Sequence, residues 1–202
     1  MIRIGAFCYR DLPEEGALVA RLGERAATHL AQDRRGNARR ETLLGFYLLS
    51  QLLPDVDLFA VTRTAEGRPF LAGRPDLDFS LSHCPRWAVC AVETGEAPRV
   101  GIDVEPLGAQ NPVAMRRIAA RWFSGAERER WNTDPTEETF LALWTAREAA
   151  AKWRGGGLRD LRSVDPAELT TASYRVGNAV VTAVCAPGRL LPEEVTVFNA
   201  LC

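Results

Sequence analysis

Two acidic residues separated by one position are the first feature of the sequence that could do chemistry. Asp103 and Glu105 lie in the segment Gly-Ile-Asp-Val-Glu, among apolar residues typical of a strand. Residues two apart on a strand point to the same face, so the two carboxylates would lie side by side. Such a pair is unfavourable unless one acid is protonated or a cation lies between them, and oxygen-only ligands suit magnesium. We therefore predict a metal site here; the alternative is a solvent-facing strand end.

A second candidate is the segment from Trp144 to Lys152. Trp144, Glu148 and Lys152 recur every four residues and so share one face of a helix. A surface ion pair is the structural alternative. Against a surface ion pair, positions 149–151 are all alanine, which permits close approach of another element. In addition, every lysine or arginine position of the chain except Lys152 is arginine. Because arginine does not lose its proton near neutral pH, Lys152 is the candidate for proton transfer.

Groups suited to a phosphate occur in three further places. His83 ends a strand-like run beside Ser82, with Arg68 near in sequence, although a structurally satisfied histidine is the alternative. The glycines at 155–157 offer backbone amides to an anion. Charged donors bind phosphate oxygens through strong hydrogen bonds, so an arginine cluster also predicts an anionic small ligand. That cluster comprises Arg34, Arg35, Arg39 and Arg40.

The composition argues against several classes of protein. A net charge of −1 disfavours a protein that coats nucleic acid, and the five cysteines lack the spacing of a zinc or redox site. No apolar run is long enough to cross a bilayer and the N-terminus has no signal-peptide pattern, so we expect a soluble, cytoplasmic protein. Phosphate-loop, dinucleotide, zinc-protease and serine-hydrolase motifs are missing. From the residues alone, a phosphoryl-transfer or phosphodiester enzyme is indicated, without its substrate.

The elements that must position these residues form a pattern that occurs twice. Helical periodicity predicts helices at 17–30, 39–53, 112–122 and 136–154, with a further helix capped by Ser124 and Glu127. Strand-like runs lie at 2–7, 58–62, 69–71, 78–82, 87–92 and 99–105, and again at 173–176, 179–185 and 194–198. Helices followed by strands in both parts predict an α+β fold of two similar halves, dividing near residue 105.

Taken in order, these segments resemble the Sfp-type 4′-phosphopantetheinyl transferases. The similarity runs roughly from residue 67 to 158, and its most specific part is the pairing of Gly-Ile-Asp-x-Glu with Trp-x-x-x-Glu-x-x-x-Lys. The resemblance implies a pseudo-dimer of two α+β halves with the active site at their interface. Residues 1–105 would bind the nucleotide end of coenzyme A, and residues 106–202 would carry the catalytic helix.

The resemblance also implies an activity. An enzyme of the holo-[acyl-carrier-protein] synthase type would transfer 4′-phosphopantetheine from coenzyme A to a serine of an apo acyl or peptidyl carrier protein, releasing adenosine 3′,5′-bisphosphate. A monomer is expected, with secondary metabolite biosynthesis as its setting, while the choice among fatty-acid, polyketide and nonribosomal-peptide carriers stays open. Two alternatives are a protein of this fold that binds coenzyme A or a carrier without turnover, and a metal-dependent enzyme acting on another nucleotide pyrophosphate.

Site residues follow from the resemblance by position. Asp103, Glu105 and Glu148 would hold Mg²⁺, and Asp103, Glu148 and Lys152 would be catalytic. Which group starts the proton transfer, Glu148, a metal-bound water or Lys152, stays open at this point. Position 68 is arginine where the family more often has lysine. Coenzyme A would be bound by Arg68, Ser82, His83 (on the 3′-phosphate) and Lys152, and more weakly by Arg35, Arg39 and Arg40.

Overall fold

The computed structural model describes residues 1–10, 12–155 and 161–198. The helices are α1 (Glu15–Leu22), α2 (Glu24–Ala31), α3 (Gly36–Leu52), α4 (Pro112–Trp122), α5 (Gly125–Thr133) and α6 (Glu137–Arg154). The strands are β1 (Ile2–Cys8), β2 (Val61–Arg63), β3 (Pro69–Leu71), β4 (Leu77–Cys84), β5 (Trp87–Thr94), β6 (Val100–Pro106), β7 (Thr170–Val176), β8 (Ala179–Cys185) and β9 (Thr196–Phe198). The chain is therefore a mixed α+β protein, as predicted.

The strands form two main sheets and one short hairpin. The first sheet has the order β4-β5-β1-β9, and the second has the order β6-β8-β7. Neighbouring strands are antiparallel except for β1 and β9, which run parallel. The pairing of β9 with β1 returns the end of the described chain to the first sheet, across the predicted division at residue 105. That division stays a prediction.

Each main sheet is covered by one long helix. Leu44, Phe46 and Leu48 of helix α3 are buried in one cluster with residues of the first sheet, and the rings of Phe46 and Phe79 of β4 lie 6.2 Å apart. Helix α6 packs on β6 and β8 of the second sheet and buries an alanine run at positions 149–151. Burial of this apolar surface stabilises both layers. The layers place the last turns of α6 over β6, which carries the acidic pair.

Strands β4 and β6 are edge strands of different sheets, and side chains join them where no backbone ladder does. The Oδ2 atom of Asp78 accepts a hydrogen bond from the Val100 amide at 2.8 Å, and the Ser80 hydroxyl accepts one from the Ile102 amide at 3.2 Å. Asp78, Ser80 and Ser82 alternate along β4, so all three side chains face β6. The sequence Asp-Phe-Ser-Leu-Ser thus satisfies the exposed donors of the neighbouring edge.

Several predicted element boundaries are confirmed and others are wrong. The cap of α5 is a capping box between Ser124 and Glu127, and α6 ends at Gly155 in the left-handed conformation with φ 109°. The single helix predicted at 17–30 is wrong, because Gly23 (φ 84°) interrupts it and two shorter helices form. Residues 58–60 form a 3₁₀ turn rather than the start of a strand. Positions 156 and 157 of the predicted glycine motif lie outside the described residues.

No helix in the described part of the chain combines the length and apolar character needed to span a membrane.

Candidate active site

Close contact between β6 and α6 brings the two predicted chemical segments together. A Cβ atom at position 101 would lie 2.0 Å from the carbonyl oxygen of Ala149, so only glycine allows this approach. Trp153 then donates from Nε1 to the carbonyl oxygen of Arg99 at 3.0 Å, which fixes the helix against the start of the strand. As a result, the acids of β6 face the Glu148 and Lys152 side of α6.

Three carboxylates form a cluster at this contact. Each of Asp103, Glu105 and Glu148 offers an oxygen, and the three oxygens lie within 4.8 Å of one another. Asp103 is buried, and its Oδ1 atom accepts hydrogen bonds at 2.7 Å from both the Ser82 hydroxyl and Lys152 Nζ. Its Oδ2 atom is buried without a partner among the described residues. A buried, unpartnered carboxylate oxygen is costly, and a bound cation would satisfy it.

Mutual repulsion and burial perturb the acids of this cluster. Burial, followed by the charge of Asp103, raises the pKa of Glu105 from 4.5 to about 7, against the opposing effect of Lys152. Burial and Asp103 likewise raise the pKa of Glu148. Both shifts mean that ionising all three acids is unfavourable without added positive charge. Three oxygen ligands of this kind fit a magnesium ion, so the residues present match the predicted cofactor.

A cavity of about 320 Å³ lies beside the acid cluster. Of the predicted coenzyme A contacts, Arg68, Ser82, His83 and Lys152 line it, together with Gly155 at the end of α6. The structure therefore brings together residues from β4, α6 and the turn before β3, which are far apart in the sequence. Ser82 and Lys152 belong both to this cavity and to the hydrogen bonds of Asp103.

Arg68 lines the cavity, but its charge is already paired. Its Nη2 atom donates to Asp78 Oδ2 at 2.6 Å and to the carbonyl oxygen of Val100 at 2.9 Å. Its Nη1 atom donates to the carbonyl oxygen of Lys152, where it caps the end of α6. The side chain is buried, and Nε is its only nitrogen without a partner among the described residues. The terminal nitrogens of this arginine thus tie β4, β6 and α6 together.

The predicted arginines at the start of α3 lie elsewhere. Arg39 donates to Glu15 and to the carbonyl oxygen of Ala31, each at 2.7 Å, and Arg40 donates to Asn37 at 2.6 Å. Arg35 donates to the carbonyl oxygens of Gln32 and Arg34, each at 2.8 Å. None of Arg35, Arg39 and Arg40 is among the described residues that line the cavity.

Two other arginines line the cavity instead, namely Arg34 and Arg63. Arg34 belongs to the predicted cluster, but no feature of the sequence distinguishes it from its neighbours. Arg63 was missed, because it stands alone at the end of β2. Its only sequence signal is its proximity to Arg68 across the turn at Gly67.

Comparison with known proteins adds a second line of observation. Residues 99–185 match the 4′-phosphopantetheinyl transferase superfamily. This segment contains β6 and α6, and with them all three acids and Lys152. Over these residues, the chain is similar to that superfamily. The resemblance to the Sfp-type branch is supported as well, since matched proteins include Sfp itself.

The matched 4′-phosphopantetheinyl transferases are moderately similar to this chain. One from Bacillus subtilis is 35% identical over 86 residues, which cover 41% of this chain and 35% of that protein. The transferase psf-1 of Bacillus pumilus is 32% identical, covering 54% and 48%, and Sfp of Bacillus subtilis strain 168 is 28% identical, covering 62% and 60%. The chain thus matches from about a third to three fifths of the length of these relatives.

Proposed function

We propose that this protein transfers the 4′-phosphopantetheine group from coenzyme A to a serine hydroxyl of an apo carrier protein, releasing adenosine 3′,5′-bisphosphate. The observation that carries this proposal is the cluster of Asp103, Glu105 and Glu148 beside Lys152, with the unpartnered Oδ2 of Asp103 and a cavity alongside. The similarity to the superfamily over residues 99–185 agrees with it. The carrier, coenzyme A and Mg²⁺ are all parts of the proposal.

Each residue of the cluster has a role in the proposed reaction. Asp103, Glu105 and Glu148 would hold Mg²⁺, which when bound neutralises the charge that builds on the pyrophosphate oxygens. Glu148 would accept the proton of the attacking serine. Lys152 extends into the cavity while Asp103 holds its ammonium group at 2.7 Å, so it would donate to the departing phosphate. The bond from the serine oxygen to the β-phosphorus forms as the pyrophosphate bond breaks.

The proposal extends to the organisation of the chain. Residues 1–105 would bind the nucleotide and residues 106–202 would carry the catalytic helix, as two halves of a pseudo-dimer with the site between them. Ser82 on β4 and Lys152 on α6 both bond Asp103 within one chain, which supports a site at this junction and a monomeric enzyme. We place the enzyme in the cytoplasm, where coenzyme A and carrier proteins are available to it.

The decisive experiment uses the purified protein, MgCl₂, coenzyme A and several apo acyl and peptidyl carrier proteins. Intact-protein mass spectrometry should show at least one carrier gaining a single phosphopantetheine, and chelation with EDTA should abolish the gain. If coenzyme A binds in calorimetry but no carrier is modified, the protein is a binding protein of this fold instead. If coenzyme A does not bind, both readings fail.

A further inference from the structure

A pair of buried hydroxyl groups joins α6 to the second sheet, close to Glu148 on the helix. Strand β8 is buried along its whole length, and Thr182 is its one hydroxyl-bearing residue. The Oγ1 atoms of Thr182 and of Thr145 on α6 lie 2.6 Å apart, and both residues are fully buried. A buried hydroxyl is costly unless it is hydrogen-bonded, so this contact favours one alignment of the helix on the strand.

The neighbouring groups decide which hydroxyl donates in this contact. Thr145 Oγ1 donates to the carbonyl oxygen of Leu141 at 2.7 Å, and a carbonyl oxygen can only accept. Because each hydroxyl carries a single hydrogen, Thr182 is the donor to Thr145. The Oγ1 atom of Thr182 then accepts from Ser173 of β7, whose Oγ lies 2.8 Å away. The bond from Thr182 is therefore directed from the sheet to the helix.

Thr182 lies in the same row of the second sheet as Asp103. The two residues are direct cross-strand partners on β8 and β6, so their side chains point to the same face of the sheet. Helix α6 covers that face and bonds to this row twice. Lys152 donates to Asp103 at 2.7 Å, and earlier on the helix Thr145 accepts from Thr182. Glu148 lies between these two attachment points.

The acid cluster needs an attachment that does not depend on its own charges. Asp103 and Glu148 repel each other when both are ionised, which favours movement of the helix away from the strand. The Lys152 ammonium bonds to Asp103 itself, where a bound cation would compete with it. The bond between Thr182 and Thr145 involves no charge and no acid of the cluster. It can therefore hold Glu148 near β6 whether or not a cation is bound.

We propose that the hydrogen bond from Thr182 to Thr145 positions Glu148 within the acid cluster before Mg²⁺ binds. This inference rests on the proposed function, because it takes the acid cluster as the metal site. Neither threonine contacts the ion or a substrate in this role. Both are positioning residues, which reduce the rearrangement of α6 that metal binding would otherwise require.

The test separates positioning from general stability with two substitutions at one position. Thr182→Val keeps the branched shape and removes the hydroxyl, whereas Thr182→Ser keeps the hydroxyl and removes a buried methyl group. Calorimetric titration with MgCl₂ gives Kd for Mg²⁺, and thermal unfolding in EDTA gives the melting temperature without metal. Thr182→Val should raise Kd by about tenfold or more, the usual effect of losing a supporting hydrogen bond at a metal site. Thr182→Ser should unfold at a lower temperature yet keep the wild-type Kd.

Two further variants complete the design. Thr145→Val removes the same bond from the helix side, so it should raise Kd as Thr182→Val does, and it decides the question if Thr182→Val does not fold. Ser173→Ala is the matched control. Ser173 is exposed, and its loss leaves the bond between the two threonines intact, so Kd should stay at the wild-type value.

Two results would overturn the inference. One is a wild-type Kd in the valine variants, and the other is equal weakening of Mg²⁺ binding by Thr182→Ser, which would make the effect one of stability alone. In either case the proposed function stands if wild type binds Mg²⁺ and modifies a carrier. If wild type binds Mg²⁺ but modifies no carrier, the proposed function fails while the variants still decide the inference. Failure of wild type to bind Mg²⁺, with or without coenzyme A, would overturn both.

Discussion

Asp103 makes two hydrogen bonds through one of its two carboxylate oxygens. Its Oδ1 atom joins Ser82 of β4 to Lys152 of α6, and its Oδ2 atom is buried without a partner among the described residues. Because the residue is buried, its position is fixed by packing and by the two hydrogen bonds rather than by solvent. An acid held in this way can orient the lysine and a metal at the same time.

Replacing Asp103 by asparagine should abolish the proposed transfer. Asparagine preserves the volume and can still accept from Ser82, but it removes the charge that attracts Mg²⁺ and holds Lys152. We expect the rate of carrier modification, measured by mass spectrometry, to fall by more than about a hundredfold. The increase in melting temperature on adding Mg²⁺ should disappear. Glu129→Gln, an exposed acid on α5, is the control and should retain both properties. Near-normal turnover in Asp103→Asn would contradict the assignment of the metal site.

The pKa of Glu105 predicts how pH affects the response to magnesium. Its value of about 7 lies above the ordinary 4.5, so between these values the folded, metal-free protein binds more protons than the unfolded chain. The contribution of this group to stability therefore falls as pH rises through that window. Mg²⁺ requires the ionised carboxylate. Scanning calorimetry should thus show a larger Mg²⁺-induced rise in melting temperature at pH 8 than at pH 6, and an equal or smaller rise at pH 8 would refute this.

At the scale of elements, the contact of α6 with β6 sets the geometry of the site. The strand alone places Asp103 and Glu105 on one face, and the helix alone places Glu148 and Lys152 on one face. The distance between the strand pair and the helix pair depends on Gly101 and on the buried alanines of the helix. These small residues allow the two backbones to touch. A larger residue at either place would move the lysine and one acid away from the other two acids.

Gly101→Ala tests this contact. The added methyl group would meet the carbonyl oxygen of Ala149 at 2.0 Å, so helix and strand must separate. We expect a loss of about 1–3 kcal/mol in the free energy of unfolding, measured by urea denaturation. The Mg²⁺-induced rise in melting temperature should also shrink. The control is Gly16→Ala on α1, where a Cβ has nothing within 4 Å; it should be neutral or stabilising. Wild-type stability of Gly101→Ala would show that the contact is looser than described.

At the scale of the whole molecule, the two main sheets meet through side chains. Asp78 of β4 accepts from the Val100 amide and from Arg68, and Arg68 in turn donates to the last turn of α6. This network links both sheets and α6. Ser82, at the other end of the same strand face, bonds directly to Asp103. The strand that joins the sheets is therefore also the strand that supports the acid cluster.

Asp78→Ala should destabilise the protein strongly. It would leave the buried guanidinium of Arg68 without its carboxylate, a loss of about 3–5 kcal/mol in the free energy of unfolding. Thermal and urea unfolding measure this loss. Asp76 provides a control of the same residue type two positions away, because it forms an ion pair with Arg74 on the surface. Asp76→Ala should unfold close to the wild-type midpoint, and equal losses in the two variants would contradict the proposed role of the buried pair.

The sequence by itself determined which residues form the acid cluster beside Lys152. The spacing of Asp103 and Glu105 and that of Glu148 and Lys152 follow from the periods of a strand and a helix, which are properties of the local backbone. Ends of elements marked by capping residues were predictable for the same reason, as the capping box at Ser124 and the glycine after α6 illustrate. The break at Gly23 was missed, because the apolar pattern continues across it.

Only the tertiary structure decided how the charged residues are used. Arg68 had the sequence context of a ligand contact, yet Asp78 and the end of α6 take up its terminal nitrogens. Arg34 and Arg63 line the cavity, whereas Arg35, Arg39 and Arg40 bond to neighbouring parts of the chain. The physical reason is that the partner of a charge is chosen by distance in space. Periodicity reports the face on which a side chain lies, but it carries no information about what approaches that face from elsewhere in the chain.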